Sequence, residues 1–264
     1  MKKIFHTALI LLLISCVTVQ GRDAPSVDLN QAIEDLGTGT LSFSYLTREG
    51  VRGNGRSLEI SLGDGDHRCY YHGSWDSEPE LRAGPAQVQL RLVEGRIRGI
   101  NLAVGSATTP ASDRELGLIA PGPAVHFFLD RAPQLDGDLG EDALLAACIG
   151  GQTDVAPGLL AILKNKHHHS DLRSSAMFWA ATLASEKVLA PIQDILRNRD
   201  EDMELREHAV FALSQVTSPD PLPLLMDIAR DGRTPQLQRA AFFALAEHDV
   251  PEVHQLFEDI LMGR

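Results

Sequence analysis

What the 264-residue chain lacks limits what it can be. It has no G-x-S-x-G, no H-E-x-x-H, no phosphate-binding P-loop and no G-x-G-x-x-G opening a helix after a strand. Sequence spacing therefore nominates no catalytic residue, no cofactor site and no metal site. An excess of base is missing too: 24 Lys and Arg stand against 36 Asp and Glu, a formal net charge of −12. That balance argues against a nucleic-acid partner, whose phosphates demand a basic footprint. It argues equally against a polybasic membrane-surface site. After the apolar run Ile4–Ile14 there is no second stretch long and apolar enough to span a membrane.

That first run, preceded by Lys2 and Lys3, is built like a secretory signal over residues 1–21. Val19-Gln20-Gly21 offers a cleavage site before Arg22, and Leu13-Ile14-Ser15-Cys16 offers a lipobox that would make Cys16 a lipid-carrying N-terminus. Either exit implies an exported chain, periplasmic or secreted, or anchored at Cys16. Processing after Gly21 would remove two lysines and no acids, leaving 22 basic and 36 acidic side chains. An exported location permits a Cys69–Cys148 bridge, but Cys148 stands at a small-residue position and also reads as a small hydrophobe.

Over residues 22–138 the apolar period is two. Leu41, Phe43 and Tyr45 alternate with serines, and Leu58, Ile60 and Leu62 alternate with Glu59 and Ser61. Val88, Leu90 and Leu92 run into Glu94-Gly95, followed by Ile97 and then Ile100, Leu102 and Val104. Two apolar arms about a Gly-containing turn predict a β-hairpin, and the phase slip at Gly99 predicts a bulge. A small, mainly antiparallel sheet of four or five strands is expected. Pro121–Leu129, with Pro123 in a first turn, predicts a helix against the sheet or the helical region.

From residue 139 to 264 the chain repeats. Leu172, Leu205 and Leu237 are 33 and 32 residues apart, as are Phe178, Phe211 and Phe243. Within a unit, Leu205, Ala209, Ala212, Leu213 and Val216 fall on one helical stripe. A second helix recurs as Ile192–Leu196, Leu225–Ala229 and Phe257–Leu261. Stepping back one period finds a fourth unit near Leu139. Four helical hairpins, none able to bury its face alone, must stack.

The phrase Leu205-Arg206-x-x-Ala209-x-Phe211-Ala212-Leu213, with a second helix carrying Asp-Ile-Leu, resembles the short bacterial form of the HEAT repeat. The Trp-Leu-Gly-Tyr pattern of tetratricopeptide repeats and the Thr-Pro-Leu-His of ankyrin repeats are absent. With the leader and the small sheet, the chain is similar to secreted bacterial HEAT-repeat proteins. The expected fold is α+β: a small mainly antiparallel β domain, then a right-handed α-solenoid of about four HEAT-like hairpins.

Several residues invite a functional reading. Asp194, Asp227 and Asp259 occupy one position in three successive second helices, with Glu258, Gln193 and Met226 beside them. They read either as the solvated edge of the core or as an acidic ladder for a basic partner. Trp75 is an aromatic in the polar loop Gly73–Pro79 and a plausible contact residue. The Phe178, Phe211 and Phe243 column reads as inter-repeat packing or as an exposed ridge, with packing preferred because stacked helices touch neighbours on both sides. His167, His168 and His169 are adjacent and so do not converge on one tetrahedral ion; they read as a loop before Ser170, the expected N-cap. The acidic stretch Asp136–Asp142 misses the calcium-loop template and reads as turn chemistry. The expected function is an exported scaffold holding a protein in the solenoid groove. The alternative is an enzyme or small-ligand carrier with its site in the cleft between sheet and solenoid.

Overall fold

The computed structural model describes residues 25–262, except 56, 63–66, 72–79, 106–110, 152, 217–219, 232–233 and 247. Among these residues an N-terminal mixed β region is followed by helix pairs, an α+β chain. Strands β1 (Gly39–Tyr45), β5 (Ala86–Val93), β6 (Arg96–Val104) and β7 (Arg114–Leu118) form one sheet in the order β6-β5-β1-β7. Every pairing is antiparallel except β1 with β7, which is parallel. A second, antiparallel sheet holds β2 (Val51–Gly53), β3 (Leu58–Leu62) and β4 (His67–Tyr71). Seven strands in two sheets thus replace the single sheet of four or five. Three-residue β2 and the glycine-containing Arg-Glu-Leu-Gly-Leu of β7 carry too little alternation to announce themselves.

The β5–β6 hairpin turns as its residues require. Glu94 and Gly95 both adopt positive φ, 51° and 71°, which matches the twist of the flanking strands. Arg91 pairs with Gly99 while Leu92 pairs with Ile97, so Arg98 is the extra residue of a bulge. Two helices pack on this sheet: α1 (Leu29–Leu36), with Asp28 accepting from the amides of Asn30 and Gln31, and α2 (Pro121–Arg131). The Phe128 ring of α2 stacks on Phe43 of β1, centroids 6.1 Å apart.

Eight further helices make four hairpins: α3 (Asp138–Cys148) with α4 (Ala156–Lys164), α5 (Ser170–Leu183) with α6 (Ser185–Arg197), α7 (Met203–Ser214) with α8 (Leu222–Arg230), and α9 (Pro235–Leu245) with α10 (Pro251–Leu261). The stripe Leu205, Ala209, Ala212, Leu213 and Val216 is buried throughout. First helices pack successively, α3 on α5, α5 on α7 and α7 on α9.

The residue after each opening leucine ties one unit to the next. Arg173 Nε donates to the Leu163 carbonyl at 3.0 Å, Arg206 Nη2 to Leu196 at 3.1 Å, and Gln238 Nε2 to Ala229 at 2.8 Å. Each acceptor lies at the C-terminal end of the preceding second helix, where carbonyls lack intrahelical partners. This is the physical content of the Leu-Arg phrase: a side-chain cap delivered from the following hairpin. Arg173 is also paired with Glu201 at 2.6 Å, both side chains buried, and this holds the Glu201 carboxyl below the usual range.

Sheet and solenoid are joined rather than merely linked, and one hydrophobic core runs through both. The Tyr45 hydroxyl on β1 donates 2.5 Å to the carbonyl of Ala146 in the last turn of α3. Just beyond, Arg48 N donates to Ile149 O at 2.8 Å and Gly151 N to Leu46 O at 2.9 Å. Glycine is required here because a Cβ on Gly150 would stand 2.2 Å from Val125 Cγ2.

Candidate protein-interaction site

The outward face of the first helices is where apolar surface is left uncovered. Position six after each opening leucine lies about 240° around a helix of 100° per residue. That is opposite the buried arc, which runs from Leu205 and Ala209 to Arg206 and Val210. The expected burial of the aromatic column is therefore corrected. Leu145, in the first unit, is 6% exposed, Phe178 is half-buried, Phe211 is 50% exposed and Phe243 is 73% exposed. Neighbouring helices cover an arc, not the whole circumference, and only the first unit has the sheet over it: Leu145 lines a cleft with Ile100 and Leu102 of β6. Phe178 and Phe211 stack face to face, 6.2 Å apart and within 7° of parallel, and Trp179 buttresses Phe178 edge-on from the core.

Polar residues run along the same stripe in register. Ser175 Oγ donates to Glu141 Oε2 at 2.7 Å, from α5 to α3. His208 Nδ1 and Ser174 Oγ are 2.9 Å apart, joining α7 to α5. Both pairs are 34 residues apart in sequence, one repeat plus one. With Asp171 and the two stacked rings these residues border a slot of about 320 Å³. Asp138, Glu141, Asp142, Asp171, Glu204 and Glu207 all lie on this face at least partly exposed, whereas the only Lys or Arg side chains of α3, α5 and α7, Arg173 and Arg206, point inward and are buried; the His208 imidazole is the exposed basic group there. Arg239 on α9 is the first exposed lysine or arginine of the first helices.

The second helices differ. Asp194 and Asp227 are exposed and Asp259 half-exposed, at equivalent places on α6, α8 and α10. Bases answer them: Lys164, Arg197 and Arg230 stand in the last turns of α4, α6 and α8, also 33 residues apart. Arg230 Nη1 lies 3.9 Å from Asp227, and Asp194 borders a pocket with Lys164, Lys166 and Arg173. Asp259 accepts from Gln255 at 2.9 Å, and Glu258 is exposed beside it. In α10 the buried residues are Val253 and Leu256; Phe257 is half-buried against Phe242 and the core, and Ile260 is 37% exposed.

Trp75, Cys16 and residues 1–21 lie outside the described residues, and the Cys69 side chain is not among those described. Cys148 is buried and free, and burial raises its thiol pKa. The N-cap of α5 is His169 rather than Ser170, its Nδ1 accepting from Asp171 N at 3.4 Å. His168 faces Asn165 at 3.0 Å, so the three histidines diverge; among the described residues no acidic, histidine or cysteine cluster is arranged to hold a metal. The cleft between sheet and solenoid, about 370 Å³, is lined among the described residues by Gly55, Ser57, Asn101, Asp142 and apolar residues of β3, β6 and α3.

Residues 156–246, from the start of α4 to just past α9, match the family described as HEAT repeats. That stretch is a HEAT-repeat region, and α3, upstream of it, packs on α5. No curated protein and no solved structure matches the chain. No helix among the described residues is long and apolar enough to cross a membrane.

Proposed function

We propose that the chain is a protein-interaction scaffold whose partner lies across the outward face of the first helices. One observation carries this reading: a row of aromatic rings on successive repeats, half-buried at Phe178 and increasingly exposed at Phe211 and Phe243, with acids beside it and no exposed lysine or arginine on the first helices before Arg239. Exposed rings on a rigid array supply large contact area at low entropic cost, which is the character of interface hot spots. The second-helix aspartates are weaker anchors, because cations share their surface: Arg230 stands 3.9 Å from Asp227, and Lys164 and Lys166 border the same pocket as Asp194. The leader-like residues 1–21 support an exported location, with Cys16 as the alternative lipid anchor; the mass of the processed N-terminus decides between them.

The test places a photo-crosslinking side chain at Phe243 or at Asp227 in the organism that makes the chain. A discrete protein adduct from Phe243 and none from Asp227 is expected. Adducts from Asp227 alone would move the contact to the second helices. None from either position, in folded protein, would remove the scaffold reading.

A further inference from the structure

Resting on that reading, we propose that the slot between α5 and α7 receives an arginine side chain from an extended basic segment of the partner. The slot has two chemically distinct walls. One is aromatic: Phe178 and Phe211, stacked near-parallel, with Trp179 edge-on against Phe178. The other is polar and carries the acids Glu141 and Asp171, with Ser174, Ser175 and the His208 imidazole beside them. A guanidinium is the group that satisfies both, because it is planar, stacks on aromatic rings and carries five donors in a fork matched to carboxylates. Lysine, a compact and strongly hydrated point charge, matches the carboxylates but not the stacked rings. The acids retain acceptor capacity. Glu141 accepts from Ser175 through one oxygen and Asp171 Oδ2 lies 3.1 Å from His169 Nδ1, while each carboxylate offers about four lone-pair positions.

Charge segregation supports the same occupant. Acids in the first turn of a helix complement its dipole, which accounts for Asp138, Glu141, Asp171 and Glu204. It does not account for Glu207, a turn further on, nor for the absence of any exposed lysine or arginine on α3, α5 and α7. On the second helices, by contrast, Lys164, Arg197 and Arg230 intervene between the aspartates. Beside the aromatic stripe only the imidazoles of His169 and His208 stand among these acids, with no exposed lysine or arginine, so the field there is negative and a basic segment is drawn to it rather than to the opposite side.

The experiment measures binding of four labelled synthetic peptides by fluorescence anisotropy. Their common repeat is Gly-X-Gly-Leu, with X as Arg, Lys, Gln or Glu. The Arg peptide is expected to bind most tightly, at least about tenfold tighter than the Gln peptide, with the Lys peptide between them and the Glu peptide not binding. Joint Glu141→Gln and Asp171→Asn replacement should cost the Arg peptide about tenfold and leave the Gln peptide unchanged. Phe211→Ser, at an exposed position that does not endanger the fold, should weaken the Arg peptide as well. Equal affinity of the Arg and Gln peptides, both lost in Phe211→Ser, would overturn the arginine assignment and leave the aromatic face as a docking surface. Arg-peptide binding indifferent to both sets of replacements would place the basic segment elsewhere and overturn it. Absence of binding by all four peptides would overturn it too, while the crosslinking from Phe243 decides the scaffold reading independently.

Discussion

The two ends of the array occupy the same repeat position with opposite consequences. In the first unit Leu145 is covered by β6; in the last, Phe243 stands in the open on an identical helix face. Both residues follow one rule of sequence, six places after the opening leucine. What separates them is the sheet, which lies over one end of the helical stack and not the other. A solenoid position has no fixed burial of its own: a ring becomes core or contact surface according to what lies beyond the repeat.

The largest effect is expected between the two ends, at the buried charge pair. Glu201→Gln leaves Arg173 buried without its carboxylate, and should cost about 3 kcal/mol at neutral pH. The folded Glu201 carboxyl is held below its ordinary value, first by the hydrogen bond from Arg173. Its contribution is therefore present above the unfolded carboxylate range and is lost as pH falls through the depressed folded value. Denaturant unfolding across acid pH should show the wild type and the variant converging; a gap that stays constant would exclude the pair as its source. Next, Leu145→Ala at the covered end should cost about 3 kcal/mol through the cavity it leaves. If it unfolds at the wild-type denaturant midpoint, the sheet does not cover that position in solution.

Tyr45→Phe strands the Ala146 carbonyl at the joint between sheet and α3, and should cost about 1–3 kcal/mol. Hydrogen exchange should then quicken first at the end of α3 and in the 149–151 turn. Unchanged protection there would mean the joint rests on the backbone bonds alone. The smallest effect belongs to the open end. Phe243→Ala should change stability by no more than about 0.5 kcal/mol, a near-silent result that sharpens the contrast with Leu145. A loss of several kcal/mol would show that the ring is covered in solution, by a second copy or by the chain itself.

Much of the solenoid was legible because helical periodicity and repeat spacing are local. The buried stripe of α7, the four hairpins and the small-residue place of Cys148 follow from spacing alone. The turn at Glu94-Gly95 and the bulge beside Gly99 were legible for the same reason. The bases answering the aspartates were in plain view too: Lys164, Arg197 and Arg230 keep the same 33-residue period, three places after Ala161, Asp194 and Asp227. The outward face was misjudged by treating a mid-stack helix as covered all round. Six residues from the stripe points away from both neighbours, and counting around the helix would have shown it.

Sequence by itself determined the local and periodic features: which residues form helices, which stripe each helix buries, where the hairpin turns, and that units must stack. Those follow from φ/ψ preferences and from apolar spacing along the chain. Tertiary structure alone decided that Tyr45 caps α3 from a strand 101 residues away, and that Gly150 admits the close approach of Val125. It alone decided that Leu145 is core while Phe243 is surface. These are contacts between segments far apart in sequence, and no periodicity encodes which surface will come to lie over which.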